Sequence, residues 1–295
     1  MKKIGILLCD TDNPFWREKI DQYGKAAAAF DFEVEFRTAR DSSDPEEQCR
    51  ELLRMAREPY DAVVVNPLTG DNLFPALRGL PFPVFDVGPK CDPERTSAIE
   101  NYFPVTAADF EKQGFLAGEA LGEEALNGEA RVGDASMPGP EKAGKGWALI
   151  VGGFHDARQS SLRCRGAFKA LRRVFAQKRI VTVYANFNRD DAFQAVKELA
   201  PNLNLQAIFC ANDLMALGAS AAWRESFPDS PVPVGGVDAI PEALEALKNG
   251  TLFCTVSLPH GEVVRGVYRA VSHWFEGVSP SCGDAVADSV LIRRP

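Results

Sequence analysis

Residues suited to binding without reaction recur where the apolar runs of this sequence end. They are Asp12 and Asn13, Asp86, Arg163 and Arg165, Asn186 and Asn188, Asn212 and Asp213, and Asp238. Carboxylates accept from hydroxyls, amides accept and donate, and an arginine fork donates in a fixed plane. Phe15, Trp16 and Phe187 add flat apolar faces. A sugar ring carries hydroxyls around its edge and C–H groups on its faces, so a polar rim with aromatic walls is its complement. Each position also has a plain structural use. An Asp or Asn after a strand commonly caps the next helix, and for Asp213 capping competes at least evenly with ligand contact. Phe15 and Trp16 can pack a first helix on its sheet, and lying about 100° apart on that helix, only one of them need reach a ligand. Of the two arginines, one is expected inside and one at the surface.

The motifs of catalysis are missing. No GxSxG, HExxH, Walker A or post-strand GxGxxG pattern is present, so no nucleophile elbow, zinc helix or phosphate loop is expected. "VGGF" at 151–154 is a glycine turn. The three histidines, His155, His260 and His273, lie far apart, and a surface or loop role is expected for each. The seven cysteines, at 9, 49, 91, 164, 210, 254 and 282, form no CxxC pair, which argues against zinc or a redox centre. No catalytic residue, metal or cofactor is expected.

The elements that must position these residues alternate. "KIGILLC", "FEVEF", "DAVVVN" and "FPVFDV" read as strands. Trp16, Ile20, Tyr23, Ala27 and Phe30 recur at helical spacing behind Pro14, and "DPEEQCRELLRMA" reads as a helix capped by Asp44 with Pro45 in its first turn. The resulting βαβαβ series implies a parallel sheet with helices on both faces. A Gly- and Pro-rich stretch at 127–146 reads as a surface loop. After it the series restarts with "WALIVGG", "LRCRGAFKALRRVF", "RIVTVYA", a helix from Asp190, "QAIFCA", a helix from Asp213 and "VPVGGVD". "DAVVVNPLTGDNLFPAL" and "QAIFCANDLMALGASAA" share one plan of strand, Asn and helix. Two doubly wound lobes are expected, with ligands beyond the carboxyl ends of the strands.

Composition restricts partners. Net charge is −8, with 45% hydrophobic and 25% charged residues among 295, as in an ordinary globular protein. That charge disfavours a phosphate-binding surface, and no nucleic-acid contact is expected. No apolar run approaches the roughly 18 residues of a membrane span. Asp10 ends the first apolar run too early for a signal sequence, so either the chain is cytoplasmic or a signal peptide has been removed from it.

Taken in order, "DNPFW" (12–16), "DAVVVNP" (61–67), "RCRGAF" (163–168), "IFCANDLMALGA" (208–219) and "GVDAIPEALEALKNGTL" (236–252) resemble the type I periplasmic sugar-binding proteins. This is the ribose- and galactose-binding group, which shares its fold with the effector domains of LacI-type repressors. The resemblance covers nearly the whole chain. It implies two doubly wound lobes joined by a three-strand hinge, with crossovers near 100–108, 254–258 and 282–286. The N-terminal lobe would be 1–105 with 257–283, and the C-terminal lobe 106–256 with 284–295. It also implies site roles. Asn13 bonds a hydroxyl, Phe15 and Trp16 form one aromatic wall and Phe187 the opposing one, and Asp86 is the acid ending the fourth strand. Arg165, directly before Gly166, is the binding arginine, and Asn212 and Asp238 meet further hydroxyls. Ribose binders carry an Arg where this chain has Val87, and a Gln where the match falls on Ser257. The departures argue against ribose and for a larger, deoxygenated or differently substituted ligand.

The function implied is that of a solute-binding protein that closes on a sugar or polyol and delivers it to the membrane permease of an ABC transporter, acting as a monomer in the periplasm. The alternatives are a receptor that hands the bound signal to a membrane sensor, and a LacI-type effector domain without its DNA-binding domain. An enzyme of the same fold class would need a nucleophile or metal site that the sequence does not show.

Overall fold

The computed structural model describes residues 1–8, 14–39, 44–88, 96–105, 108–132, 146–281, 284–285 and 287–294. The chain forms two compact units, Met1–Ala108 with Pro259–Asp288 (unit 1) and Asp109–Leu258 with Ser289–Pro295 (unit 2).

Unit 1 opens with β1 (Lys2–Leu8), α1 (Pro14–Ala27), β2 (Phe32–Thr38), α2 (Pro45–Met55), β3 (Ala62–Val65), the single turn α3 (Phe74–Leu77), β4 (Val84–Asp86) and β5 (Tyr102–Pro104). The strands form an all-parallel sheet in the order β2-β1-β3-β4-β5. Its central strands are continuous apolar runs because helices cover both faces; every residue of "AVVV" in β3 is buried, whereas edge strand β2 is mostly half-exposed. The Asp44 side chain accepts from the Glu46 N–H, and Pro45 occupies the first helical turn of α2, as the sequence predicts.

Unit 2 contains α4 (Phe110–Val132), β6 (Trp147–Gly152), α5 (Arg158–Leu171), β7 (Ile180–Tyr184), α6 (Arg189–Leu199), β8 (Leu205–Cys210), α7 (Asp213–Ser226), β9 (Val234–Gly235), α8 (Pro241–Lys248) and β10 (Cys254–Ser257). The chain then returns to unit 1 with α9 (His260–Phe275) and to unit 2 with β11 (Val290–Arg293). The second sheet runs β11-β10-β9-β8-β6-β7, parallel except where β11 pairs antiparallel with β10.

Two expectations change, and one strand was not foreseen. The loop read at 127–146 does not begin at 127, because α4 continues to Val132. The glycine in "NGEARV" disfavours a helix by only about 1 kcal/mol, which a 23-residue helix absorbs. β5 leaves no periodic signal, being three residues long and ending in proline. Ser257 ends β10 and so belongs to unit 2 rather than unit 1.

Helices α4 and α5 touch backbone to backbone. A Cβ on Gly114 would lie 1.8 Å from the Arg163 carbonyl oxygen, and one on Gly166 would lie 2.0 Å from that of Glu111. Glycine is needed here for close approach. Gly166→Ala is therefore expected to force the two helices apart and to destabilise the protein by about 1–3 kcal/mol, read as a lower urea midpoint.

In unit 1, α9 lies against α1. The Tyr268 hydroxyl donates to the Tyr23 carbonyl at 3.0 Å, and the two rings meet edge-on at 5.5 Å. This contact fixes the start of α9, and with it His260, relative to α1.

Candidate functional site

The polar residues gather in two groups, one at the strand ends of each unit. In unit 2 the group is built around Arg163 on α5. Its stripe of buried positions, Ser160, Arg163, Cys164, Ala167, Ala170 and Leu171, follows helical spacing. Gly166 presses on α4, and Arg163, three residues earlier, faces the same helix. Its guanidinium donates from Nε to Gln113 Oε1 at 2.9 Å, from Nη1 to the Ala211 carbonyl at 2.7 Å and from Nη2 to Asp238 Oδ1 at 3.2 Å. The Phe110 ring lies 5.6 Å below it. Both ion-pair side chains are only 9% exposed.

The resemblance points to Arg165 as the binding arginine, but of the two it is Arg163 that is buried. Arg165, taken as the binding arginine, is exposed and pairs with Glu111, which Lys169 also holds. Position relative to the buried stripe decides this, not the neighbouring glycine: Arg163 lies on the stripe, and Arg165 does not.

Asp238 sits on the loop after β9 with φ 119°, followed by Ala239 at φ 56°. The loop after β7 repeats the feature, with Asn186 at φ 51° and Phe187 at φ 58°. Non-glycine residues in this region cost of order 1–3 kcal/mol each and persist only where their surroundings hold them. The surroundings are visible. Asn212 Nδ2 donates to the Phe187 carbonyl at 3.2 Å, Asn186 Nδ2 donates to Asp191 at 2.9 Å, and the Asp238 N–H donates to the Val256 carbonyl at 2.9 Å. Phe187, half-buried, lies over Gly153, where a Cβ would be 2.2 Å from its ring, and meets Phe154 edge-on at 5.8 Å. The glycine turn at 151–154 is thus the floor on which Phe187 rests.

Asn212 and Asp213 divide their tasks differently from the sequence expectation. Asn212 caps α7, accepting from the Met215 N–H at 2.9 Å. After this bond and the one to Phe187, its amide retains one N–H and one lone pair. Asp213 does not cap. Fully buried, it accepts from the Thr255 hydroxyl at 2.6 Å and the Ile240 N–H at 3.0 Å. Burial, reinforced by the Asp238 carboxylate, pushes its pKa well above the usual carboxylate value. Its contacts brace the loop that carries Asp238. Asn188 is likewise a cap, accepting from Asp190 and Asp191 at the start of α6.

The group in unit 1 lies at the start of α1 and the ends of β4 and β5. Phe15 and Trp16 meet edge-on at 4.8 Å, with Trp16 buried and Phe15 half-buried. The ammonium of Lys19, itself 3% exposed, lies 5.3 Å from the Phe15 ring centre and 5.1 Å from that of Trp16. His260 meets Phe15 edge-on at 4.9 Å. Asp86 is fully buried and accepts from the Tyr102 hydroxyl and from the Gly88 N–H, the latter at 2.9 Å. Val87, beside it, is 3% exposed. Asp12 and Asn13 lie outside the described residues. Ser257 is half-buried and paired with Val290 in the β10–β11 ladder.

Sequence reasoning missed four members of these groups. Gln113 and Tyr102 orient Arg163 and Asp86. Lys19 holds the aromatic pair, and its i+3/i+4 spacing from Phe15 and Trp16 was legible. Gln48, fully buried on α2, donates to the Asn66 carbonyl at 2.9 Å and accepts from the Leu68 N–H at 2.9 Å and from Asn72 at 2.8 Å, so it pins the loop after β3.

Among the described residues no cluster of three or more His, Cys, Asp or Glu could hold a metal, and the described cysteines 49, 164, 210 and 254 are free thiols. No described helix is long and apolar enough to cross a membrane. The residues brought together can fix hydroxyls and cover an apolar face.

Two α/β units, their sheets parallel except at β11 and with acid, amide, guanidinium and aromatic residues at their strand ends, have the architecture of the type I periplasmic binding proteins. The chain belongs to the family described as "Periplasmic binding protein domain", whose model matches residues 4–274. It is 23% identical over 257 residues to the D-allose-binding periplasmic protein of Escherichia coli, an alignment covering 86% of this chain and 78% of that protein. It is 25% identical over 276 residues to the xylitol-binding protein of Mycolicibacterium smegmatis, covering 92% and 71%. In fold it is similar to the Caulobacter myo-inositol binding protein bound to myo-inositol, with TM-score 0.80, 24% identity and coverage of 99% and 93%.

Proposed function

We propose that this chain is the solute-binding component of an ABC transporter, which takes up a sugar or sugar-like polyol in the periplasm and delivers it to a membrane permease. The observation that carries this reading is the Arg163–Asp238 pair, desolvated and held beside two loops in left-handed conformations. Backbone strain and a buried ion pair both cost stability, which fits a constellation retained for binding. The ligand contacts proposed are Arg163, Asp238, Asn212 and Phe187 of unit 2, with Phe15, Trp16, Asp86 and Asn13 of unit 1. Ser257 remains in the set. Arg163 takes the place first given to Arg165. The relatives named for D-allose, xylitol and myo-inositol support a polyhydroxylated ligand. The protein is proposed to act as a monomer.

A thermal-shift panel of pentoses, hexoses and cyclitols including D-allose, xylitol and myo-inositol tests the reading. At a hundredfold excess over Kd a true ligand adds about 2.7 kcal/mol of stability and raises Tm. Asp238→Asn is expected to abolish that rise while Arg165→Ala keeps it. No rise with any member of the panel would overturn the reading.

A further inference from the structure

His260 is 6% exposed, and neither of its ring nitrogens has a hydrogen-bond partner among the described residues. Buried polar atoms nearly always find partners, and an orphan calls for an explanation such as a missing water or ligand. Burial, with the Lys19 ammonium second, depresses its pKa to about 3. The ring is therefore neutral at ordinary pH and offers one donor and one acceptor.

Hydroxyls have the matching roles, since one can accept from the ring N–H while its neighbour donates to the other nitrogen. A carboxylate does not donate, and an ammonium does not accept. The position agrees with the chemistry. His260 opens α9 three residues beyond Ser257, and its ring meets the edge of Phe15 at 4.9 Å. Tyr23 also has an orphan hydroxyl, but it is fully buried between Phe36 and Tyr268 with no proposed ligand contact against it.

We propose that His260 is a further ligand contact, whose two ring nitrogens meet separate hydroxyls of the sugar or polyol, one as donor and the other as acceptor. The inference rests on the sugar-binding reading above. It also explains how the chain tolerates Val87 where ribose binders have an arginine, and Ser257 where they have a glutamine. One imidazole restores a donor and an acceptor without adding charge, so the ligand it selects is neutral on this side.

The test uses the full chain with 15N-labelled histidine at pH 7.5 and, as probes, D-allose, xylitol and myo-inositol. Only three histidines are present, and the His260 signals are identified by their absence in His260→Phe. With a probe that raises Tm, both ring-nitrogen signals of His260 are expected to move while those of His155 and His273 stay in place. His260→Phe, which keeps an aromatic ring against Phe15, is expected to bind that probe at least about tenfold more weakly, through the loss of the hydrogen bonds its ring nitrogens make. A raised Tm with unmoved His260 signals, or full affinity in folded His260→Phe, would overturn this inference alone. If no probe raises Tm, the sugar-binding reading fails and this inference with it.

Discussion

Arg163→Met is expected to lower stability by about 3–5 kcal/mol, the range for breaking a buried ion pair from one side. The loss has three parts. Asp238 loses the cation at 3.2 Å, Gln113 loses a donor at 2.9 Å, and the Ala211 carbonyl loses one at 2.7 Å. Methionine fills much of the space but supplies no donor, so desolvated oxygens remain where guanidinium N–H groups stood. Arg165→Ala, two residues away, is expected to cost less than about 1 kcal/mol, because its pair with Glu111 is exposed to solvent and Lys169 still holds that carboxylate. Urea unfolding of both variants at matched slope checks the contrast. Equal costs would mean that Arg163 is not the inner arginine. Adding Asp238→Asn to Arg163→Met should then cost less than the two changes made separately, because both remove the same interaction.

The same pair of arginines shows what the sequence discloses and what it withholds. Strands β1, β3, β4, β6 and β8 were legible because a sheet covered on both faces demands unbroken apolar runs, and "AVVV" or "AIFC" has no other comfortable state. The positions of Asp86, at the end of β4, and of Phe187, Asn212 and Asp238, just past β7, β8 and β9, followed from where the apolar runs end. Orientation within a helix was harder. Matching a motif by its glycine placed Arg165 at the site, whereas the apolar and small residues at 160, 164, 167, 170 and 171 already defined a face that contains 163. A helical-wheel reading of that segment alone would have put 163 on the inner face and 165 off it.

Hydrogen-bond assignments were less legible still, since they depend on contacts distant in sequence. Asp86 is met by Tyr102, which lies on a strand too short to announce itself. Asp213 is met by Thr255 and Ile240, and its role as a brace for the Asp238 loop becomes apparent only once β8, β9 and β10 stand side by side. An Asn or Asp after a strand is a cap or a contact by type. Here Asn212 is a cap that retains free hydrogen-bonding capacity, and Asp213 is neither cap nor exposed group.

His260 also controls how the protein responds to acid. Its pKa is lowered from 6.5 to about 3, chiefly by burial, so in the unfolded chain the ring takes up a proton below pH 6.5 while the folded protein leaves it neutral. The unfolded state therefore binds more protons between these values, and stability falls as pH falls through that window, by up to about 1.4 kcal/mol per pH unit. Above pH 6.5 the group contributes nothing to the pH dependence. Carboxylates held low by partners, such as Glu35 beside Lys3 and Glu111 beside Lys169 and Arg165, add acid sensitivity in the same direction, but only near and below their ordinary value of 4.5. Asp213, whose pKa burial raises, acts in the opposite sense above its ordinary value, so between pH 6.5 and about 5 it is the difference between wild type and a His260 variant that isolates the histidine. His260→Phe retains an aromatic ring against Phe15 and has no proton to take up. With unfolding free energies measured by urea titration at half-unit steps, the wild type is expected to lose stability steadily relative to this variant across that interval. Parallel curves for the two proteins would show that the ring is hydrated or paired in solution, because only a desolvated imidazole resists protonation at pH 5.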